Sequence, residues 1–185
     1  MLGMGNVLLG DDGIGPLVVE TFRCGYDCGL GVEVTDLGTP GLDLSPYLHG
    51  KDLVLLIDAV KSDEPAGSVS TYGESDFAPT TDEHVRVSSR LTGHDPGLWE
   101  SLAHLRLIAC APAELLIIGV VPASSNFGEP MSAAVLGALD SALRIIVQLL
   151  AARGVPCIPR VPPLQKHLWW MEHDLMTSPA ATDRF

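Results

Sequence analysis

Long apolar runs are missing from this chain: stretches such as DLVLLIDAV and RIIVQLLAA fall well short of the 18 or so residues that cross a bilayer. The opening residues also lack the basic and apolar regions of a secretory leader. The expectation is a soluble, cytoplasmic protein with no membrane partner. Basic charge is scarce as well. Eleven Lys and Arg face 23 Asp and Glu, a formal net charge of −12, which repels phosphate backbones and argues against nucleic acid. A cation or a basic segment of a partner protein suits such a surface better. Cysteine is limited to Cys24, Cys28, Cys110 and Cys157 with no C-x-x-C pair, so reduced structural thiols are expected rather than a zinc site. There is no internal repeat, no H-E-x-x-H, and no Ser or Cys set in a nucleophile motif beside a base.

What remains is a pattern of alternating strands and helices in a chain of 185 residues, the size of one domain. MLGM reads as a short first strand. IGPLVVETFR carries Ile14, Val18 and Phe22 at helical spacing, with Pro16 tolerated in a first turn. GVEVTDLG alternates like a strand, and TPGLDLSPYLHG reads as a short helix. KDLVLLIDAV and AELLIIGVVP are continuous apolar runs of the kind buried on both faces of a parallel sheet. GSVSTYG is a further strand, and the polar, Pro-containing residues from about Asp63 to Thr92 read as a flexible loop. DPGLWESLAHL starts a helix, with Asp95 as cap and Pro96 in its first turn. MSAAVLGALDSALRIIVQLLAARG is a long helix stopped by Gly154, and VPCIP reads as a short edge strand. Past Pro163 the composition shifts: two of the three tryptophans, Trp169 and Trp170, fall in a tail that reads as a packing helix followed by a frayed end, with a docking element for a partner as the alternative.

In an α/β domain ligands sit beyond the carboxyl ends of the strands. Asp12 follows the first strand, Asp58 closes LVLLID, and His94 precedes a helix in LTGHDPG. Singly, each also reads as a capping or turn residue. Together they make a carboxylate and imidazole set suited to a divalent transition metal. A rival reading is a dinucleotide site, since GMGNVL starts like its glycine fingerprint and Asp36 mimics the ribose-binding carboxylate. Leu8 replaces the third glycine, however, and Asp11 and Asp12 would repel a pyrophosphate at the helix start.

GMGNVLLGDDGIGP, DLGTPGLDL, LVLLIDAV, the His of TGHDPGL, and LLIIGVVP, in that order, resemble the hydrogenase maturation endopeptidases, which finish the large subunit of [NiFe] hydrogenases. The resemblance spans residues 1 to about 160. It implies a three-layer α/β/α sandwich around a twisted, mainly parallel sheet of about five strands; the tail from 161 to 185, beyond the resemblance, is expected from composition to be partly helical or disordered. It further implies an endopeptidase that removes the C-terminal extension of a nickel-loaded large-subunit precursor. The family's metal-contacting positions fall on Asp12, Asp58 and His94, and many members carry Glu in place of Asp12. By this resemblance Asp12 and Asp58 are the catalytic carboxylates, and Asn6, Asp36, Gly38 and Thr39 line the substrate cleft. Asp11 is expected to be a solvated or helix-capping neighbour. The nickel is expected to arrive in the substrate, with a carboxylate assisting water attack. A non-catalytic, nickel-sensing chaperone for the same partner is the alternative.

Overall fold

The computed structural model describes residues 1–40, 44–76 and 95–171. A five-stranded sheet has the order β3-β1-β4-β6-β5, built from β1 (Leu2–Met4), β3 (Thr35–Gly38), β4 (Leu53–Ala59), β5 (Val69–Gly73) and β6 (Glu114–Val120). Four of these strands run parallel, and β5 returns antiparallel along β6 with Val69 opposite Val120 and Gly73 opposite Leu116. Neighbouring parallel strands with long crossovers demand helices on both faces. One face carries α1 (Ile14–Gly25) and α4 (Ala133–Ala151); the other carries α2 (Ser45–Leu48) and α3 (Asp95–Leu107). This is the expected three-layer α/β architecture.

Side-chain alternation along β4 sorts the two cores. Leu55, Ile57 and Ala59 join Ile14, Val18 and Phe22 of α1 and Val135, Ala142 and Ile146 of α4. Val54, Leu56 and Val60 join Leu98, Leu102 and Leu105 of α3 and Leu48 of α2. By the same period of two, Asp58 belongs to the α3 face. Helix α4 has 19 residues and is long and apolar enough to cross a bilayer by length and composition alone, a feature hidden when only unbroken apolar runs are counted. Its buried stripe of Val135, Ala138, Ala142, Leu143, Ile146 and Leu150 lies in the core beside α1. The Ser132 hydroxyl caps it by accepting from the N–H of Val135 at 3.3 Å.

One expected strand departs in its pairing. VPCIP forms β7 (Ile158–Pro159), but its partner is β2 (Tyr26–Asp27) in a separate antiparallel pair, not the edge of the main sheet. Arg160 fastens that pair, donating from Nε to the Tyr26 carbonyl at 3.0 Å and facing Asp27 across 3.3 Å. Strands of two residues carry no readable periodicity, so nothing local announces which strand they will pair with. The polar stretch from Asp63 contains β5 and a 3-10 turn at Glu74–Asp76, while 77–92 lie outside the described residues. The chain after β7 runs back over α1: the N–H of Leu164 donates to the Cys24 carbonyl at 2.9 Å, and that of His167 to the Glu20 carboxylate at 2.8 Å.

Candidate functional site

From β1 the chain passes out to β3 on one side, then returns to β4 on the other. The crevice at such a reversal, beyond the carboxyl ends of the strands, is where open α/β sheets bind ligands. Asp12 follows β1 in a 3-10 turn at Gly10–Gly13, and Asp58 is the last residue but one of β4, whose Ile57 pairs with Gly3 of β1. Both carboxylates therefore stand at the same edge of adjacent strands, and both are almost wholly buried, at 3% and 1% exposure. Asp12 accepts the N–H of Asn6 at 2.7 Å through Oδ2, and Asp58 accepts the following N–H of Ala59 at 2.8 Å.

Glycine makes this packing possible. Gly5 has φ 135°, and a Cβ there would run into the Asp12 carbonyl; a Cβ on Gly15 would strike the carbonyls of Met4 and Ile57, the two strands that carry the site. The sequence keeps the helix start close against the strand ends by leaving these side chains out.

Asp11 is not solvated, contrary to expectation. It is 1% exposed and accepts four hydrogen bonds: from the N–H groups of Ala123 (2.7 Å), Ser124 (3.1 Å) and Ser132 (2.6 Å) and from the Ser132 hydroxyl (2.9 Å). A buried carboxylate is tolerable when backbone donors take up its lone pairs. The adjacent pair thus splits its work, with Asp11 tying down the segment between β6 and α4 while Asp12 turns toward Asn6. Its partners lie more than a hundred residues away, beyond what a local motif displays.

The cleft-lining set comes together. Asn6, Asp36, Gly38 and Thr39 line one cleft of about 370 Å³, with Trp169 and Trp170 on its wall. The N–H of Gly5 donates to the Gly38 carbonyl at 2.8 Å and that of Gly38 to Asp36 Oδ1 at 2.8 Å, which joins the β1 and β3 ends. The two tryptophans were legible as a compositional oddity but had no signal placing them here. His94 lies outside the described residues. Helix α3, which follows it in sequence, packs on the face of Asp58. Its far end meets the amino edge of β4, where the N–H of Gly50 donates to the Cys110 carbonyl and that of Ala113 to the Lys51 carbonyl, each at 2.9 Å. A larger cavity of about 450 Å³ opens at the amino edge around Lys51, Leu53 and Arg153 and contains none of these candidate residues.

A family model described as hydrogenase maturation protease matches residues 16–149. The hydrogenase expression/formation protein HupD of Rhizobium leguminosarum bv. viciae is 28% identical over 173 residues, covering 90% of this chain and 83% of the relative. The hydrogenase 2 maturation protease of Escherichia coli (strain K12) is 29% identical over 160 residues, covering 86% and 94%. Among solved structures, the hydrogenase maturating endopeptidase HybD from E. coli superposes with a TM-score of 0.75 at 27% identity, over 87% of this chain and 96% of that one.

Proposed function

This chain belongs to the hydrogenase maturation protease family, and from that premise we propose that it is the endopeptidase that removes the C-terminal extension from a nickel-loaded [NiFe] hydrogenase large-subunit precursor. The observation that carries the reading is the pair of buried carboxylates, Asp12 and Asp58, which both stand at the carboxyl edge of adjacent strands where the strand order reverses. In this reading nickel is cargo of the substrate. Asp12, Asp58 and His94 engage it, which holds the scissile peptide bond against the strand ends. One carboxylate then takes a proton from water as the water oxygen attacks the carbonyl carbon. The same proton passes to the departing amide nitrogen as the bond breaks. The acidic surface and a cytoplasmic location fit a protein whose partner is itself still being assembled.

Intact mass of the precursor separates this from a nickel-sensing chaperone. Incubation with nickel-loaded precursor should produce the shortened subunit and a free C-terminal peptide. Asp58→Asn should abolish the reaction, since an amide takes no proton from water, whereas Asp12→Glu should retain it. Metal-free precursor should be cut poorly at any enzyme concentration. An unchanged precursor mass with stable complex formation would establish the chaperone instead. Cleavage of metal-free precursor, together with tight nickel binding by the enzyme alone in calorimetry, would place the metal on the enzyme and overturn the substrate-borne role.

A further inference from the structure

The segment after β7 is held to the body of the protein by polar contacts at defined points. The Leu164 and His167 N–H groups reach Cys24 and Glu20 of α1, the Cys24 thiol meets the Gln165 carbonyl at 3.4 Å, and the N–H of Met171 closes a turn onto the Leu168 carbonyl at 2.9 Å. That path ends with two indoles on the wall of the cleft, across from Asp36, Gly38 and Thr39. They stand edge to face, with centroids 5.8 Å apart and planes at 89°. Trp169 is 58% exposed, and the Nε1–H of Trp170 is buried without an acceptor among the described residues. An exposed indole beside an unsatisfied indole N–H is costly in isolation and is relieved by an apolar group with a carbonyl at hand.

Resting on the protease reading above, we infer that Trp169 and Trp170 are substrate-positioning residues that grip the extended polypeptide beside the scissile bond. Three features select a peptide strand as the occupant. The cleft runs along β3, an edge strand that pairs only with β1 among the described residues and so has unpaired backbone groups to offer an added strand. Its lining mixes Val7, Leu8 and Leu37 with Asn6 and Asp36, as suits a segment that needs both side-chain burial and backbone hydrogen bonds. It also adjoins the chemistry, because Asn6 lines the cleft and donates its backbone N–H to Asp12. An apolar side chain of the substrate packs against the indoles while a neighbouring carbonyl accepts from Trp170 Nε1.

The test is steady-state cleavage of nickel-loaded precursor by the full-length protein and its variants, with circular dichroism confirming the fold. Trp169→Ala and Trp170→Ala should each raise KM about tenfold while kcat stays within about twofold, the pattern of lost substrate binding. Trp169→Phe should restore most of the loss, since a ring remains. Trp170→Phe should restore only part of it, because the N–H is gone. A second readout needs no change to the wall. In a Trp99→Phe protein the emission of the remaining pair should shift as precursor is added, at fixed enzyme concentration. Unchanged KM in both alanine variants, or emission that ignores precursor, overturns the inference. Emission that instead follows enzyme concentration alone assigns the wall to a second copy of the chain and overturns it too. A wild-type protein that leaves the precursor uncut refutes the protease reading, whereas normal cutting by every tryptophan variant refutes this inference alone.

Discussion

Replacing Asp11 by Ala should unfold the protein at a markedly lower temperature without altering its chemistry in any direct way. Asp11 is 1% exposed and its carboxylate accepts four hydrogen bonds, three of them from backbone N–H groups in a partly buried segment that would lose their acceptor. At a net cost of about 1 kcal/mol for each of the four bonds, the loss is about 4 kcal/mol, a large share of the 5–15 kcal/mol or so that a domain of this kind holds in reserve. Unfolding entropy near Tm is about 2.1 cal/mol/K per residue, or about 0.4 kcal/mol/K for 185 residues, so Tm should fall by about 10 °C. Asp11→Asn should be nearly as harmful, because its amide nitrogen would face donors rather than acceptors. Scanning calorimetry gives the shift, and cleavage assayed well below the lowered Tm gives the activity. A shift under about 2 °C combined with lost cleavage would refute the reasoning and make Asp11 a chemical residue.

Gly15→Ala should cost about 3 kcal/mol or more, since its methyl group would meet the Met4 and Ile57 carbonyls; a melt within 2 °C or so of wild type would show that α1 can retreat. Burial opposes the charge on Glu20, but the His167 N–H and the Arg23 guanidinium outweigh it and hold the carboxyl below its ordinary 4.5. A lowered folded pKa gives stability that is present above 4.5 and lost as pH falls through the folded value. The tail should therefore loosen from α1 on acidification, seen as a red shift of tryptophan emission before far-UV dichroism changes; coincident transitions would deny Glu20 that role. Burial and a thiol contact with Cys157 at 2.8 Å push Cys28 up to about 12. At pH 8 about one molecule in ten thousand then carries its thiolate. Alkylation there should be far slower than that of a free peptide thiol by mass mapping, and equal rates would refute the assignment.

The elements legible in the sequence are those whose burial is written locally. LVLLIDA and ELLIIGV announce strands covered on both faces, and the stripes of α1 and α4 announce their inner sides. The carboxyl-edge location of Asp12 and Asp58 follows from the same alternation, because strand ends are visible wherever the apolar run stops. What escaped depends on distant partners. Nothing near Asp11 marks Ser132 as its donor, and nothing near Ile158 marks Asp27 as its pairing residue. Trp169 and Trp170 acquire a place only through the backbone contacts that lay the preceding residues along α1. The two adjacent aspartates are alike in type and in burial; only the direction in which each finds its donors tells them apart.

The inner position of β1 also sets a timetable. It is the first strand in the chain, yet it lies between β3 and β4, so a growing polypeptide carries the Asp12 loop long before anything exists to hold it. Asp58 becomes its neighbour only after β4 has been made and has paired, and Asp11 waits longer still for the donors at Ala123, Ser124 and Ser132. Contacts so widely separated along the chain form late and together. Proteolytic competence therefore waits on chain made after β4, and a chain cut short before Ala123 would hold both candidate carboxylates while lacking the donors that brace the Asp12 loop.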